Sequence, residues 1–136
     1  MSLEVRAHYS LCVQDLDAAV DFYTKVLGGA PFYRQRNTCH VSLEGHHLVL
    51  HQVRSSPRWA KLGEEVSGAP IPHFGIIVDD ERYERILSAA SADRSVLIAP
   101  KRRRRGTALD HICFFVADPS GYPWEIKRYV GGAPPF

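Results

Sequence analysis

Four side chains in this sequence are of types that bind divalent transition metals, and they recur at matched places in a duplicated pattern. His8 stands in Ala7-His8-Tyr9-Ser10-Leu11-Cys12-Val13-Gln14-Asp15, and His73 opens His73-Phe74-Gly75-Ile76-Ile77-Val78-Asp79-Asp80. In both stretches an aromatic follows the histidine, the fifth residue after it is valine and the seventh is aspartate; the two copies lie 65 residues apart in a chain of 136. His51 and Glu125 fall in the last strand-like run of each copy. Three imidazoles and a carboxylate make a competent ligand set for a divalent transition metal, and any three of them leave coordination positions open to a substrate. His8 and His73 with Glu125 form a 2-His-1-carboxylate set, which suits non-haem Fe(II). The four positions are separated by 43, 22 and 52 residues, with no local spacing rule of the HExxH kind. The metal-binding expectation therefore rests on their matched placement in two similar halves.

The other reactive residue types carry weaker signals. His46 sits at a hairpin turn and reads as solvated. His47 shares a strand face with His51, but residues four apart on a strand are separated by about 13 Å, so it reads as lining a cavity rather than ligating. His40 and His111 lie on middle strands and read as structural. The three cysteines, Cys12, Cys39 and Cys113, are odd in number, far apart and outside any CxxC pair. They read as small buried hydrophobes in a reducing, cytoplasmic protein. Residues 101–105, Lys-Arg-Arg-Arg-Arg, read as a solvated loop whose alternative role is a rim that draws in an anionic substrate. A net charge of +2 and the lack of aromatic residues among those cations speak against nucleic acid. The sequence has no apolar run long enough for a transmembrane helix and no secretory leader pattern at its start, so no membrane partner is expected.

Those residues need a scaffold, and hydropathy periodicity supplies one. Residues 5–13 alternate as a strand with His8, Ser10 and Cys12 on one face. Asp15 is a helix cap, and Leu16, Ala19, Val20, Tyr23, Val26 and Leu27 have the spacing of an amphipathic helix over residues 16–27, stopped by Gly28-Gly29. Strand-like runs follow at 32–36, 38–43 and 47–53. Residues 54–72 read as a linker with a helical turn near 59–62. The second half repeats the order, with strands at 74–78, 96–99, 111–117 and 122–129, a helix over 81–91, a basic loop over 100–110 and a frayed tail. The expectation is one α+β domain made of two βαβββ modules, residues 5–53 and 73–129.

The sequence resembles the vicinal-oxygen-chelate superfamily, which includes glyoxalase I, extradiol dioxygenases, fosfomycin-resistance thiol transferases and bleomycin-binding proteins. The resemblance is carried by the His8 and His73 stretches, by Asp15-Leu16-Asp17-Ala18-Ala19 with Asp21-Phe22-Tyr23-Thr24-Lys25-Val26-Leu27-Gly28, and by Asp118-Pro119-Ser120-Gly121-Tyr122-Pro123-Trp124-Glu125. It implies a curved mixed sheet half enclosing a metal-binding cleft, with His8, His73 and Glu125 as metal ligands. His51 matches the remaining ligand position, where glyoxalase I has an acidic or amide residue. Here it is expected either to ligate or to act as an acid/base beside the metal, with Glu125 as the other candidate catalytic residue. The implied cofactor is a divalent ion (Fe, Ni, Zn or Mn). The implied reaction is a glyoxalase-type lyase or isomerase step, or ring cleavage by a dioxygenase, on a small substrate that chelates the metal through vicinal oxygens. A non-catalytic resistance protein of the bleomycin-binding type is the alternative; those relatives lack the metal ligands. A homodimer is the expected assembly, with Trp59 and Phe136 as candidate contacts; if modules swap, His8 and His51 meet the partner subunit's His73 and the partner subunit's Glu125.

Overall fold

The computed structural model describes residues 7–54, 64–66 and 68–136. The alternating run Ala7–Val13 forms strand β1 and turns Leu11 and Val13 into the core. Asp15 then caps helix α1 (Leu16–Asp21), its carboxylate accepting the Ala18 amide at 3.0 Å. The helix does not run straight on to Leu27 as its periodicity suggests. It widens into a π-helical turn over Phe22–Val26, which lets the consecutive residues Phe22 and Tyr23 both be buried. Gly29 follows because a Cβ there would stand 2.9 Å from the Tyr23 carbonyl oxygen and from Val41 Cγ1, closer than real side chains approach.

Strands β2 (Ala30–Arg34), β3 (Thr38–Leu43) and β4 (His46–Gln52) complete the first module. A hairpin of β5 (Glu64–Val66) and β6 (Ala69–Ile71) lies where an unstructured linker was expected; the helical turn expected near 59–62 and Trp59 lie outside the described residues. The second module is β7 (Phe74–Ile77), helix α2 (Asp80–Asp93), β8 (Val96–Arg103), β9 (His111–Ala117) and β10 (Pro123–Tyr129). The two four-stranded sheets have the same topology, β1-β4-β3-β2 and β7-β10-β9-β8, with the first and last strands of each module parallel. The duplication legible in sequence is thus a duplication of mixed sheets.

Three further expectations are corrected. Strand β8 runs four residues past Ala99, so Lys101, Arg102 and Arg103 belong to a strand and not to a loop. His46 is half-buried, stacked at 5.2 Å on the Tyr9 ring, because its strand begins one residue earlier than the turn signal implied. Cys12 is exposed, since it shares the outward face of β1 with His8 and Ser10. Among the described residues no helix is long and apolar enough to cross a membrane.

One hydrophobic core serves both modules, taking Leu11, Val13, Leu48 and Leu50 from the first sheet and Ile76, Phe114, Trp124 and Ile126 from the second. At its centre the Tyr23 hydroxyl donates to Asp118 Oδ2 at 2.6 Å and accepts the Trp124 indole N–H at 3.0 Å. Asp118 Oδ1 accepts the amides of Ser120 and Tyr122, which folds the Asp-Pro-Ser-Gly turn before β10. Tyr122 in turn donates to the Cys12 carbonyl at 2.9 Å. Replacing Tyr23 by Phe leaves a buried carboxylate and a buried indole N–H short of a partner, and should lower stability by about 2–3 kcal/mol. Urea melts measure this, with the exposed Tyr33→Phe expected to change stability by less than about 0.5 kcal/mol.

Candidate metal centre and cavity

The two sheets turn one face each to the shared core, so their other faces look away from it. On the second sheet that open face carries Gly75 from β7, Glu125 and Lys127 from β10, and His111, Cys113 and Phe115 from β9, by the register of the three strands, with His73 just ahead of β7. Glu125 is the focus. Only 8% of it is exposed, and a buried carboxylate requires compensating partners. Its Oε2 lies 2.9 Å from His73 Nε2, and its Oε1 lies 3.5 Å from Lys127 Nζ and 3.7 Å from His111 Nε2. Gly75 stands opposite Glu125 in the ladder, and a Cβ there would come within 3.5 Å of Glu125 Cβ. The missing side chain leaves room beside the carboxylate.

Both imidazoles are oriented by a backbone carbonyl. His73 Nδ1 donates to the Pro70 carbonyl at 2.7 Å, and His111 Nδ1 donates to the Leu109 carbonyl at 2.6 Å. A carbonyl can only accept, so each Nδ1 carries hydrogen and each Nε2 is directed at Glu125. His73 Nε2, 2.9 Å from the carboxylate, carries hydrogen too, making the metal-free pair imidazolium and carboxylate, and a bound ion would replace that proton. A carbonyl behind the far nitrogen is the outer-shell support that metal-binding histidines have. His73 Nε2 and Glu125 Oε2 therefore fit as ligands to a divalent ion. Burial raises the Glu125 pKa, but the hydrogen bond from His73, the charges of Lys127 and His73 and the Cys113 hydrogen bond outweigh it and bring it down to about 2. The hydrogen bond to Glu125 raises the His73 pKa against the opposing effect of burial.

Beside this pair lies a cavity of about 650 Å³, whose lining includes Glu125, His111, Phe115 and Tyr129 together with Lys101 and Arg103. Arg102 and Arg104 line it as well, but strand pairing sets Lys101 and Arg103 apart. Lys101 pairs with Cys113 and Arg103 with His111, so both lie on the face of Glu125. Arg102, between them, makes a two-pronged ion pair with Asp110 at 2.9 and 2.8 Å. The run that reads as a solvated loop thus contributes one wall of a cavity.

His8 and His51 stand on the open face of the other sheet. Both are exposed; His51 lies opposite Cys12 in the β1–β4 ladder. His8 Nδ1 is 3.3 Å from His47 Nδ1, and His47 Nε2 is 2.9 Å from His40 Nδ1. The chain brings His73 and Glu125 together and leaves His8 and His51 on a different face. Sequence reasoning passed over His111 and Cys113. Their signal was there, since residues two apart on a strand share a face and both lie one strand from Glu125, but a nearly unbroken apolar run hid it.

The profile of the Glyoxalase/Bleomycin resistance protein/Dioxygenase superfamily matches residues 6–126. The chain belongs to this superfamily. Among solved structures it is similar to a glyoxalase/bleomycin resistance protein/dioxygenase from Alicyclobacillus acidocaldarius, at 30% identity over 95% of each chain with a TM-score of 0.71. The fold is also that of the fosfomycin resistance protein FosX from Listeria monocytogenes, at 15% identity, TM-score 0.68, covering 92% of this chain and 93% of that one. Lactoylglutathione lyase from Agrobacterium tumefaciens shares it too, at 19% identity, TM-score 0.63, covering 91% and 92%. A lyase and a resistance protein thus stand side by side among proteins that share this fold.

The His73–Glu125 pair makes stability depend on pH. The depressed Glu125 pKa contributes stability that is present above the unfolded value of ~4.3 and lost as pH falls through about 2. The raised His73 pKa contributes stability present below the unfolded value of ~6.5 and lost as pH rises through the folded one. In metal-free protein, His73→Gln should therefore be destabilising by roughly 1–3 kcal/mol at pH 5.5 and by much less at pH 9. Denaturant melts of both proteins at the two pH values check this; a difference that grows toward pH 9 contradicts it.

Proposed function

We propose that the protein is a divalent-metal enzyme that acts on a small anionic molecule bearing vicinal oxygens. The observation that carries this reading is the buried His73–Glu125 contact of 2.9 Å, with the imidazole fixed from behind by Pro70 and a cation-walled cavity alongside. His73 Nε2 and Glu125 Oε2 would hold the ion. His8, from the open face of a second copy of the chain, would complete a 2-His-1-carboxylate set, and His51 would come with it as a fourth ligand or an acid/base. A homodimer that sets the open face of one copy against that of the other would bring these residues together.

Once bound, the ion would supply Lewis acidity to two neighbouring oxygens of the substrate. The protein's own side chains do the rest. Lys101 and Arg103 attract the anionic end of the substrate, and Phe115 and Tyr129 cover its carbon body. Glu125 and His51 are the groups placed to move protons. Lyase or isomerase chemistry of the glyoxalase type and ring cleavage by a dioxygenase share this binding mode. They divide on whether the ion must also be a redox metal. Metal-free sequestration in the same cleft, as in bleomycin-binding proteins, is the alternative, and it predicts no bound metal.

Metal analysis of protein purified with divalent ions should find metal in the parent and at least about a tenfold loss of affinity in His73→Ala, Glu125→Ala and His8→Ala. Parent-like metal content in His73→Ala and Glu125→Ala overturns the reading, whereas retention in His8→Ala alone removes only the shared-site geometry. Oxygen uptake by the Fe(II)-loaded protein with catechols identifies the dioxygenase branch, and its absence favours the lyase or isomerase branch. Arg103→Gln should weaken the binding of carboxylate ligands about tenfold at low salt and less at high salt, as measured by calorimetry.

A further inference from the structure

The mechanism above uses one oxygen of Glu125, and the other faces a second set of donors. Glu125 Oε1 is 3.7 Å from His111 Nε2. Cys113 completes a group in which one ligand atom from each of the three residues lies within 4.8 Å of the others. All three residues are buried. His111 and Cys113 project from the same face of β9, and Glu125 projects beside them from β10. The Leu109 carbonyl holds the hydrogen of His111 on Nδ1, so the Nε2 lone pair points at the carboxylate.

We propose that Cys113 Sγ, His111 Nε2 and Glu125 Oε1 form a second divalent-cation site, of the thiophilic Zn²⁺ class, whose fourth position opens to the cavity. Sulfur makes this choice of ion: thiolate with imidazole selects zinc-like ions, whereas Mg²⁺ and Ca²⁺ take oxygen ligands. Bond lengths of ~2.0–2.3 Å to nitrogen, oxygen and sulfur give tetrahedral edges of roughly 3.3–3.6 Å, and the 3.7 Å between His111 and Glu125 is already near that value. Two cations adjoin the site. Arg103, opposite His111 in the β8–β9 ladder, hydrogen-bonds the Cys113 thiol. Lys127 touches Oε1 at 3.5 Å and would exchange that contact for the ion. On binding, the Sγ–H bond breaks, the proton leaves to solvent and an Sγ–metal bond forms, with no change of oxidation state.

The site shares Glu125 with the proposed function but does not use His73, and a Co²⁺ titration separates the two. The parent should develop a near-ultraviolet thiolate-to-cobalt charge-transfer band. Cys113→Ser should abolish it, and His111→Gln should weaken Co²⁺ binding at this band by about tenfold or more. His73→Gln should keep the band while losing the other ion. A parent without the band overturns the inference whatever the variants do, as does a band that survives Cys113→Ser and so belongs to Cys12 or Cys39. Loss of metal in His73→Gln with no band in the parent refutes this site and leaves the proposed function standing. An intact band with no metal loss in His73→Gln does the reverse. Because Cys113 is buried, a folded His111→Gln protein, judged by circular dichroism, provides an independent check should Cys113→Ser fail to fold.

Discussion

A carboxylate that is nine-tenths buried must be surrounded by groups that make its charge tolerable, and Glu125 imposes that requirement on the whole second sheet. His73 meets it on one oxygen; Lys127 and His111 meet it on the other. Each of these partners is itself fixed. The hairpin of β5 and β6 exists where a plain linker would do, and it places the Pro70 carbonyl behind His73. The turn before β9 places the Leu109 carbonyl behind His111. Gly75 keeps the ladder position opposite the carboxylate small. A cost of burying charge has thus been turned into a directional set of donors.

The second constraint is the shared core. Two amphipathic sheets with one helix each could have folded as separate units. Instead the Tyr23–Asp118–Trp124 network and the aromatic contacts of Tyr9 with Phe74 bind them through their inner faces. The consequence reaches function. Histidines at matched positions in the repeat, His8 and His73, end on different open faces, so the symmetry of the repeat does not bring them together within one chain.

Much of this was legible in the sequence. The duplication, the order of strands and the capping aspartates follow from periodicity, and the superfamily resemblance agreed with them. The site was legible only in part. His73 and Glu125 were found because matched placement marks them, but nothing in spacing reports that a carbonyl stands behind an imidazole. His111 and Cys113 were passed over because β9 is buried on both faces near Glu125, and a buried polar residue in an apolar run reads as packing. The basic run was read as a loop because Pro100 and the charges mimic loop composition. Strand pairing with β9 overrode that local signal and set Lys101 opposite Cys113 and Arg103 opposite His111. The straight helix over 16–27 failed for a similar reason: periodicity cannot see the π turn that buries Phe22 and Tyr23 together.

The central claim is that His73, fixed in its Nδ1–H tautomer, gives Nε2 to a metal jointly held by Glu125. Long-range proton–nitrogen correlation spectra of the ¹⁵N-labelled protein during Zn²⁺ addition test it at the atom concerned. The prediction is that His73 Nδ1 stays protonated while its Nε2 resonance moves to the metal-bound range, and that Glu125→Gln suppresses the change. An unaltered His73 imidazole at saturating Zn²⁺, with other histidines shifting in its place, would contradict the account.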